Sequence, residues 1–197
     1  QKTSRAILNR EKSSSHILEL CDEVFSETGV KLNEIDAIAY TKGPGAFTGV
    51  RMCIGVVQGL SLASGIPTMG FSTLELLGYK AASCLNSEKI AIAVDARMGE
   101  VYWAIYESGL LLNERICRPD NVDKLNQDYI GVGSGWESYK ESLAEWSNIK
   151  QIELNFHPES EDLIELFLLA IEKGQVATFE LPQPTYLRNN VAQKSLK

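Results

Sequence analysis

Apolar positions in the first part of the chain recur at two spacings, one typical of helices and the other of buried strands. A helix is predicted over 13–28, where the apolar residues at helical spacing are Ile17, Leu18, Cys21, Val24 and Phe25. Gly29 follows at the position where a glycine commonly ends a helix. The pattern then predicts strands over 37–41 and 68–71, and helices over 48–64 and 72–85. This alternation is typical of an α/β protein.

The pattern changes near residue 89, where two strand-like segments follow each other with a short turn between them. Residues 89–95 and 100–107 are predicted to form a hairpin, with its turn at 96–99. The later elements are predicted as strands over 110–116, 129–133 and 150–154, and helices over 121–127, 136–146 and 160–173. The restart favours two α/β lobes, 1–88 and 89–197, with a C-terminal tail that docks back on the protein.

Composition narrows the partners that such a protein can bind. The 197 residues include 19 Lys and Arg and 26 Asp and Glu, which gives a net charge of -7, and 44% of them are hydrophobic. The hydrophobic content supports a core and excludes a disordered chain. Because phosphate contacts depend on Lys and Arg, we expect no tight binding of nucleic acid by this chain alone.

Cysteine and histidine are too scattered for a metal centre. His16 and His157 are far apart, and no C-x-x-C pair occurs among Cys21, Cys53, Cys84 and Cys117. We therefore expect no metal site, and buried free thiols in a reducing, cytoplasmic compartment. The apolar segment 52–65 is interrupted by glycines and a glutamine, so no membrane span is expected.

A glycine-rich turn, GPGAFTG, lies between the predicted strand over 37–41 and the helix over 48–64. A strand, glycines and a helix N-terminus in this order can cradle a phosphate. The phosphate-loop pattern fails because no Lys follows Gly49, and the dinucleotide pattern fails because Thr48 stands where its third glycine belongs. Anion binding at this turn is therefore left open.

The helix after the turn carries Gly55 and Gly59, which lie four residues apart and so share one face. Each interior glycine costs about 1 kcal/mol relative to alanine, so a helix that keeps both is expected to use the missing side chains for close backbone approach. Two interpretations follow. Either the notch packs against an element of its own domain, or a helix from another subunit sits in it.

Asp95 ends a predicted strand and opens the sequence DARMGE. An Asp at a strand end can hold a metal-bound water near a phosphate. Asp and Gly are also good turn formers, and Arg97 and Glu100 fit surface charges. We favour an ordinary hairpin turn.

Four separated blocks of the sequence together resemble the bacterial TsaB (YeaZ) family. They are TKGPGAFTGVRMCIGVVQGLSLASGIPTMGFSTLELL, AVDARMGEVYWAIY, VGSGW and PTYLRNNVA. The blocks occur in the family's order, and the resemblance covers nearly the whole chain from about residue 16 onward. The resemblance implies an α/β, actin-like and sugar-kinase-like (ASKHA) fold of two related lobes, with mixed sheets flanked by helices. It also implies a non-catalytic role in making threonylcarbamoyladenosine beside the tRNA anticodon.

In that system a TsaD subunit transfers the threonylcarbamoyl group, TsaE is an ATPase, and TsaC makes the activated intermediate. The resemblance implies that this chain binds TsaD-like and TsaE-like proteins, forms a homodimer when alone, and does not bind tRNA tightly. The surface used is built from the first two helices, here 13–28 and 48–64. The residues expected at this interface are Ile17, Leu20, Cys21, Val24, Arg51, Met52, Gly55, Val56, Gln58, Gly59 and Leu62.

The resemblance also implies what the chain lacks. The catalytic paralogue carries a metal-binding H-x-x-x-H motif, and the matching positions are Thr73 and Leu77, which ligate transition metals poorly. No catalytic residue, metal or cofactor is therefore expected in this chain. A nucleotide is expected, if anywhere, only at an interface with a TsaD-like or TsaE-like protein. The expected contacts of a vestigial phosphate site are Gly43, Gly45, Thr48, Asp95 and Arg97.

The family opens with a strand-turn-strand of I-D-T-S type, which this sequence, starting at QKTSRAILNREK, is expected to lack. RAILNR is expected to form the strand just after it. A competing hypothesis is an ATP-dependent phosphotransferase of the same fold, with Asp95 near magnesium. A third, a metalloprotease-like activity, lacks its metal ligands.

Overall fold

The computed structural model describes residues 2–6, 16–154 and 156–188. The helices are α1 (Ile17–Thr28), α2 (Phe47–Ser64), α3 (Thr73–Leu85), α4 (Ser134–Ser138), α5 (Lys140–Ser147) and α6 (Ser160–Glu172). The strands are β1 (Ile38–Thr41), β2 (Thr68–Phe71), β3 (Lys89–Arg97), β4 (Glu100–Glu107), β5 (Leu110–Cys117), β6 (Ile130–Val132) and β7 (Gln151–Glu153).

The chain divides into two compact units, one formed by 1–76 with 158–184 and the other by 77–157 with 185–197. This division differs from the predicted boundary between residues 88 and 89. The predicted second lobe included α6, whereas α6 belongs to the first unit, where it contacts β1. Thr178 also returns to the first unit, where it forms a β-bridge with Thr68.

The first unit packs helices on a two-stranded parallel sheet. β1 pairs with β2 so that Ile38 lies opposite Thr68 and Thr41 opposite Phe71. The ring of Tyr40 crosses Gly70, where a Cβ would lie only 2.7 Å from the Tyr40 Cζ. In a small core of the first unit, Tyr40 of β1 packs against Ile54 and Val57 of α2. The strand therefore fixes the inner side of α2.

The second unit is built on a mixed five-stranded sheet with the order β5-β4-β3-β6-β7. The β3–β4 and β4–β5 pairs are antiparallel, and the β3–β6 and β6–β7 pairs are parallel. Trp103 and Trp136 are fully buried against this sheet, with ring centroids 6.3 Å apart. Gly131 makes room for the Trp136 ring, because a Cβ there would lie 2.6 Å from its Cε2.

Most predicted elements are present, but one predicted helix does not form because of contacts with residues distant in sequence. The helix predicted over 121–127 is wrong, because only a 3-10 turn forms at Pro119–Asn121. The Asp123 carboxylate accepts hydrogen bonds of 2.8 Å from Trp103 and from Arg115, and the Leu125 amide donates to the Ser147 carbonyl oxygen. These tertiary contacts outweigh the helical pattern.

Two further boundaries differ from the sequence pattern. The helix predicted over 136–146 is broken into α4 and α5 at Tyr139, whose φ of -134° is not helical. The hairpin turn predicted at 96–99 is shorter, since β3 runs to Arg97. The strand expected over RAILNR falls mostly on residues 7–10, which lie outside the described residues.

The C-terminal tail binds the β3–β4 hairpin within the second unit. The Arg188 guanidinium lies 2.7 Å from the Glu100 carboxylate, and it donates a hydrogen bond of 3.1 Å to the Ala96 carbonyl oxygen. Residues 189–197, which include Asn189 and Asn190 of the YLRNN sequence, lie outside the described residues. Arg188 is thus the last described anchor of the tail.

Candidate partner-docking surface

The two helices expected at the interface are the most weakly buried long helices of the first unit. α1 contains no buried residue, and α2 buries only Ile54 and Val57. Each helix ends at a glycine in the left-handed conformation, Gly29 with φ 70° and Gly65 with φ 69°. The remaining sides of both helices are only partly covered or exposed.

The glycine pair of α2 faces open space. A Cβ added at Gly55 or at Gly59 would meet no described atom within 4 Å beyond its chain neighbours and the backbone of its own helix. The first interpretation of these glycines, packing within their own domain, is therefore wrong. Nothing in the described part of the first unit requires either residue to be a glycine.

A shallow groove of about 320 Å³ lies over the glycine pair. It is lined by Leu18, Arg51, Met52, Gly55, Val56, Gly59 and Leu60. Leu18 is 57% exposed and Met52 is 40% exposed, which leaves apolar surface in contact with water. The Arg51 guanidinium lies 3.6 Å from the centre of the Phe47 ring, a cation–π contact that orients it.

The groove brings together only some of the residues predicted at the interface. Those that line it are Arg51, Met52, Gly55, Val56 and Gly59. Leu62 is 75% exposed on the same helix, whereas the Gln58 amide donates a hydrogen bond of 2.7 Å to the Pro182 carbonyl oxygen. Four residues of α1 are partly buried, namely Ile17, Leu20, Cys21 and Val24. Their role in binding a partner stays a prediction.

Leu18 and Leu60 line the groove and were missed as interface residues. Leu60 lies one helical turn beyond Val56, and this spacing predicts its apolar side chain beside the notch, although Leu60 is not among the residues expected at the interface. Leu18 belongs to the apolar set of α1, but periodicity alone does not tell which apolar residue of a helix remains uncovered.

The thiols near this surface are poor nucleophiles. Burial raises the pKa of the Cys53 thiol, and burial together with the Asp22 carboxylate raises the pKa of Cys21. A raised pKa keeps a thiol protonated at neutral pH. The expectation that all four cysteines are buried is wrong, because Cys84 is exposed and Cys21 and Cys53 are only partly buried.

α2 combines apolar composition with exposure. Among the described residues it is the one helix long and apolar enough to cross a membrane, with a mean hydropathy of 1.2 over 18 residues. The expectation of no membrane span stays a prediction, because a helix of this length and composition also occurs in proteins that do not cross a membrane. Only 11% of the helix is buried, and length and composition alone are weak evidence for a span.

The glycine-rich turn is held to the start of α3. The Gly43 carbonyl oxygen accepts a hydrogen bond of 2.9 Å from the Thr73 amide, and Gly43 itself is buried with φ 96°. Gly45 and Thr48 are exposed at the start of α2. Anion binding by these residues stays a prediction.

Asp95 is engaged within the β3–β4 hairpin. Its carboxylate accepts hydrogen bonds from the Arg97 amide at 2.8 Å and the Arg97 guanidinium at 3.0 Å, and from the Tyr139 hydroxyl at 3.4 Å. These contacts favour the hairpin-turn interpretation over a magnesium ligand. Asp95 and Arg97 belong to the second unit, and Gly43, Gly45 and Thr48 to the first.

The positions that match the metal-binding motif of the paralogue carry no ligands. Thr73 is partly buried at the first turn of α3, and Leu77 is 2% exposed. Within residues 2–6, 16–154 and 156–188, no three His, Cys, Asp or Glu side chains gather where they could hold a metal ion.

Comparison with known proteins identifies the family. Residues 8–196 match the family model described as TsaD, tRNA N6-adenosine threonylcarbamoyltransferase. The tRNA threonylcarbamoyladenosine biosynthesis protein TsaB of Escherichia coli strain K12 is 34% identical, over 93% of this chain and 84% of that protein. The protein of the same name from Haemophilus influenzae is 30% identical, over 100% of this chain and 88% of its own.

A solved structure agrees with these relatives. YeaZ from Pseudomonas aeruginosa superposes with a TM-score of 0.75 at 35% identity, covering 87% of this chain and 84% of that one. The fold is thus an α/β fold with a mixed sheet flanked by helices, as in the YeaZ structure. The chain belongs to the TsaB (YeaZ) family.

Proposed function

We propose that this chain serves tRNA threonylcarbamoyladenosine biosynthesis as a non-catalytic subunit that docks on a TsaD-like transferase through α1 and α2. The pathway is the one for which its TsaB relatives are named. The observation that supports docking through this surface is the glycine pair of α2, which opens to solvent at the floor of an apolar groove. The phosphotransferase and metalloprotease alternatives are not favoured.

Without a partner, the exposed side of α2 is energetically unfavourable. Gly55 and Gly59 together cost α2 about 2 kcal/mol of helix stability relative to alanine, without making room for any described atom of their own unit. The exposed apolar side chains beside them leave unfavourable surface in water. A partner helix that entered the notch would approach the α2 backbone closely and cover Leu18, Met52 and Val56.

The non-catalytic role rests on the residues at the candidate chemical positions. Thr73 and Leu77 replace the two histidines of the paralogue's motif, and the Asp95 carboxylate is bound to Arg97. Neither position offers a metal ligand or a general base in this arrangement. We therefore assign the transfer chemistry to the TsaD-like partner, with a TsaE-like ATPase as a further partner.

We also propose that the protein has a two-lobed architecture and lies in the cytoplasm. The mixed sheet of the second unit and the parallel pair of the first fit two lobes of the actin-like, sugar-kinase-like class. When alone, the chain is proposed to form a homodimer through the same groove. A role in tRNA modification and the free cysteines fit the cytoplasm.

Reconstitution tests this function. The chain is combined with the TsaD-like and TsaE-like proteins of its own organism and with a TsaC-like protein that supplies the activated intermediate, and threonylcarbamoyladenosine formed on tRNA is measured with and without the chain. We expect modification to depend on this chain, and Gly55→Leu to lose it while Gly49→Leu keeps it. Gly49 is a matched control, since it is exposed on the same helix but does not line the groove. Equal modification without the chain contradicts the proposal.

A further inference from the structure

The docking surface carries an excess of negative charge. α1 contains Glu19, Asp22, Glu23 and Glu27 and no Lys or Arg, whereas the only charged residue of α2 is Arg51. These four carboxylates line a second hollow along α1, together with Arg5 and Ser26. Arg5 forms ion pairs with Glu23, at 3.3 Å, and with Glu27. Among the described residues, Arg5 is the one guanidinium that lines this hollow, the His16 ring lies against the Glu19 carboxylate, and Arg51 is the one cation of the neighbouring helix α2.

These charges are exposed and close to the groove. The side chains of Glu19 and Glu23 are 67% and 58% exposed. Leu18, which lines the groove, and Asp22 lie four residues apart on α1 and so share one face. A partner seated in the groove comes within a Debye length, about 10 Å at moderate salt, of these carboxylates. Its own charges near α1 therefore affect how tightly it binds.

We propose that this surface binds most tightly a partner that presents basic residues beside the apolar side chains it inserts, and that it binds a second copy of this chain, as in the proposed homodimer, more weakly. The inference rests on the proposed function, since it names the chemistry of the partner at the same groove. A second copy brings the same four carboxylates. Arg51 of each copy can meet one of them, but an excess of like charge remains across the contact, which weakens association.

A charge-reversed copy of the chain serves as the basic partner in the test. Glu19→Lys combined with Asp22→Lys reverses the local charge and leaves every residue that lines the groove unchanged. Sedimentation velocity compares wild type alone, the variant alone, and the two mixed, at about 50 mM and about 500 mM salt. We expect the mixed pair to have a dissociation constant about tenfold below that of the wild-type pair at low salt, with the difference lost at high salt.

A neutral variant separates charge from damage to the helix. Glu19→Gln with Asp22→Asn is expected to self-associate more tightly than wild type at low salt and to respond less to salt. Circular dichroism checks that each variant keeps its helix content. A mixed pair that binds no more tightly than the wild-type pair, or does not associate at all, overturns the inference, as does self-association of wild type that weakens with salt.

The failure of this inference is distinct from failure of the proposed function. Gly55→Leu is introduced into both members of the mixed pair. One outcome is that Gly55→Leu abolishes association but the mixed pair binds no more tightly than the wild-type pair. This outcome contradicts the charge selection and leaves the groove as the docking surface. Association that Gly55→Leu leaves unchanged contradicts the groove as the docking surface.

Discussion

Gly55 and Gly59 reduce the intrinsic stability of α2 while leaving open space where side chains would stand. Both have ordinary helical backbone conformations, so alanine fits each position without strain. Within the described residues, neither glycine makes room for a neighbouring atom. At the scale of the residue, a substitution at either glycine is therefore expected to change the stability of the helix and the binding of a partner through different contacts. The two effects can be measured independently.

We predict that Gly55→Ala combined with Gly59→Ala raises the free energy of unfolding. The expected gain is about 1 kcal/mol for each substitution, because alanine loses less backbone entropy in a helix. Urea unfolding followed by circular dichroism measures it. A loss of stability in the double variant contradicts the view that neither glycine serves the fold of its own unit.

The Asp123 carboxylate is expected to make the stability of the fold depend on pH. Burial by itself raises the pKa of this carboxyl, but hydrogen bonds from Arg115 and Trp103 outweigh it, and the pKa lies below its usual value. A depressed folded-state pKa stabilises the fold above the unfolded pKa of Asp, about 3.9, and this stabilisation is lost as pH falls through the folded value.

Asp123→Asn removes this titration. We expect wild type to be more stable than the variant at neutral pH, and the difference to shrink as pH falls below about 4. Urea unfolding at a series of pH values measures both proteins. A difference that stays constant down to the acid limit contradicts the assignment, and Asp128→Asn at an exposed carboxylate is the control.

At the scale of the element, Arg188 connects the C-terminal tail to the β3–β4 hairpin. The hairpin has Arg97 and Met98 at positive φ, 62° and 57°, which costs energy for residues other than glycine. The Arg188 contacts with Glu100 and with the Ala96 carbonyl oxygen lie beside this turn. The tail thus helps to hold a strained turn.

We predict that Arg188→Ala increases hydrogen exchange at the amides of 96–100 by about fivefold, equivalent to the loss of about 1 kcal/mol of local stability. Arg188→Lys keeps the charge but not the paired hydrogen bonds, and is expected to be intermediate. Exchange followed by mass spectrometry after peptic digestion measures this. Unchanged exchange at the turn contradicts a role of Arg188 in holding it.

Much of the element order could be predicted from the sequence, because apolar periodicity reflects local contacts with the sheet. β2 and β4 lie where the pattern places them, and α2 differs by one residue. The segment 121–127 could not be predicted, since Asp123 and Leu125 bond to residues distant in sequence. α2 is apolar on most sides, so the spacing of Gly55 and Gly59 indicates a notch but not whether it faces the core or water.

At the scale of the whole molecule, net charge limits the direct contact with tRNA. The chain carries a net charge of -7, and α1, which forms part of the proposed docking surface, is acidic. We predict that the chain alone does not bind tRNA with submicromolar affinity at physiological salt. Filter binding tests this, with a partner complex that modifies tRNA as the positive control. Submicromolar binding by the isolated chain contradicts the prediction.

The association of the isolated chain with its TsaD-like partner tests the central claim most directly. Isothermal titration calorimetry compares wild type, Gly55→Leu and the matched control Gly49→Leu. If the notch receives a partner helix, Gly55→Leu weakens binding by about 2 kcal/mol or more, whereas Gly49→Leu binds like wild type. Unchanged affinity of Gly55→Leu for the TsaD-like protein contradicts the claim that α2 is the docking surface.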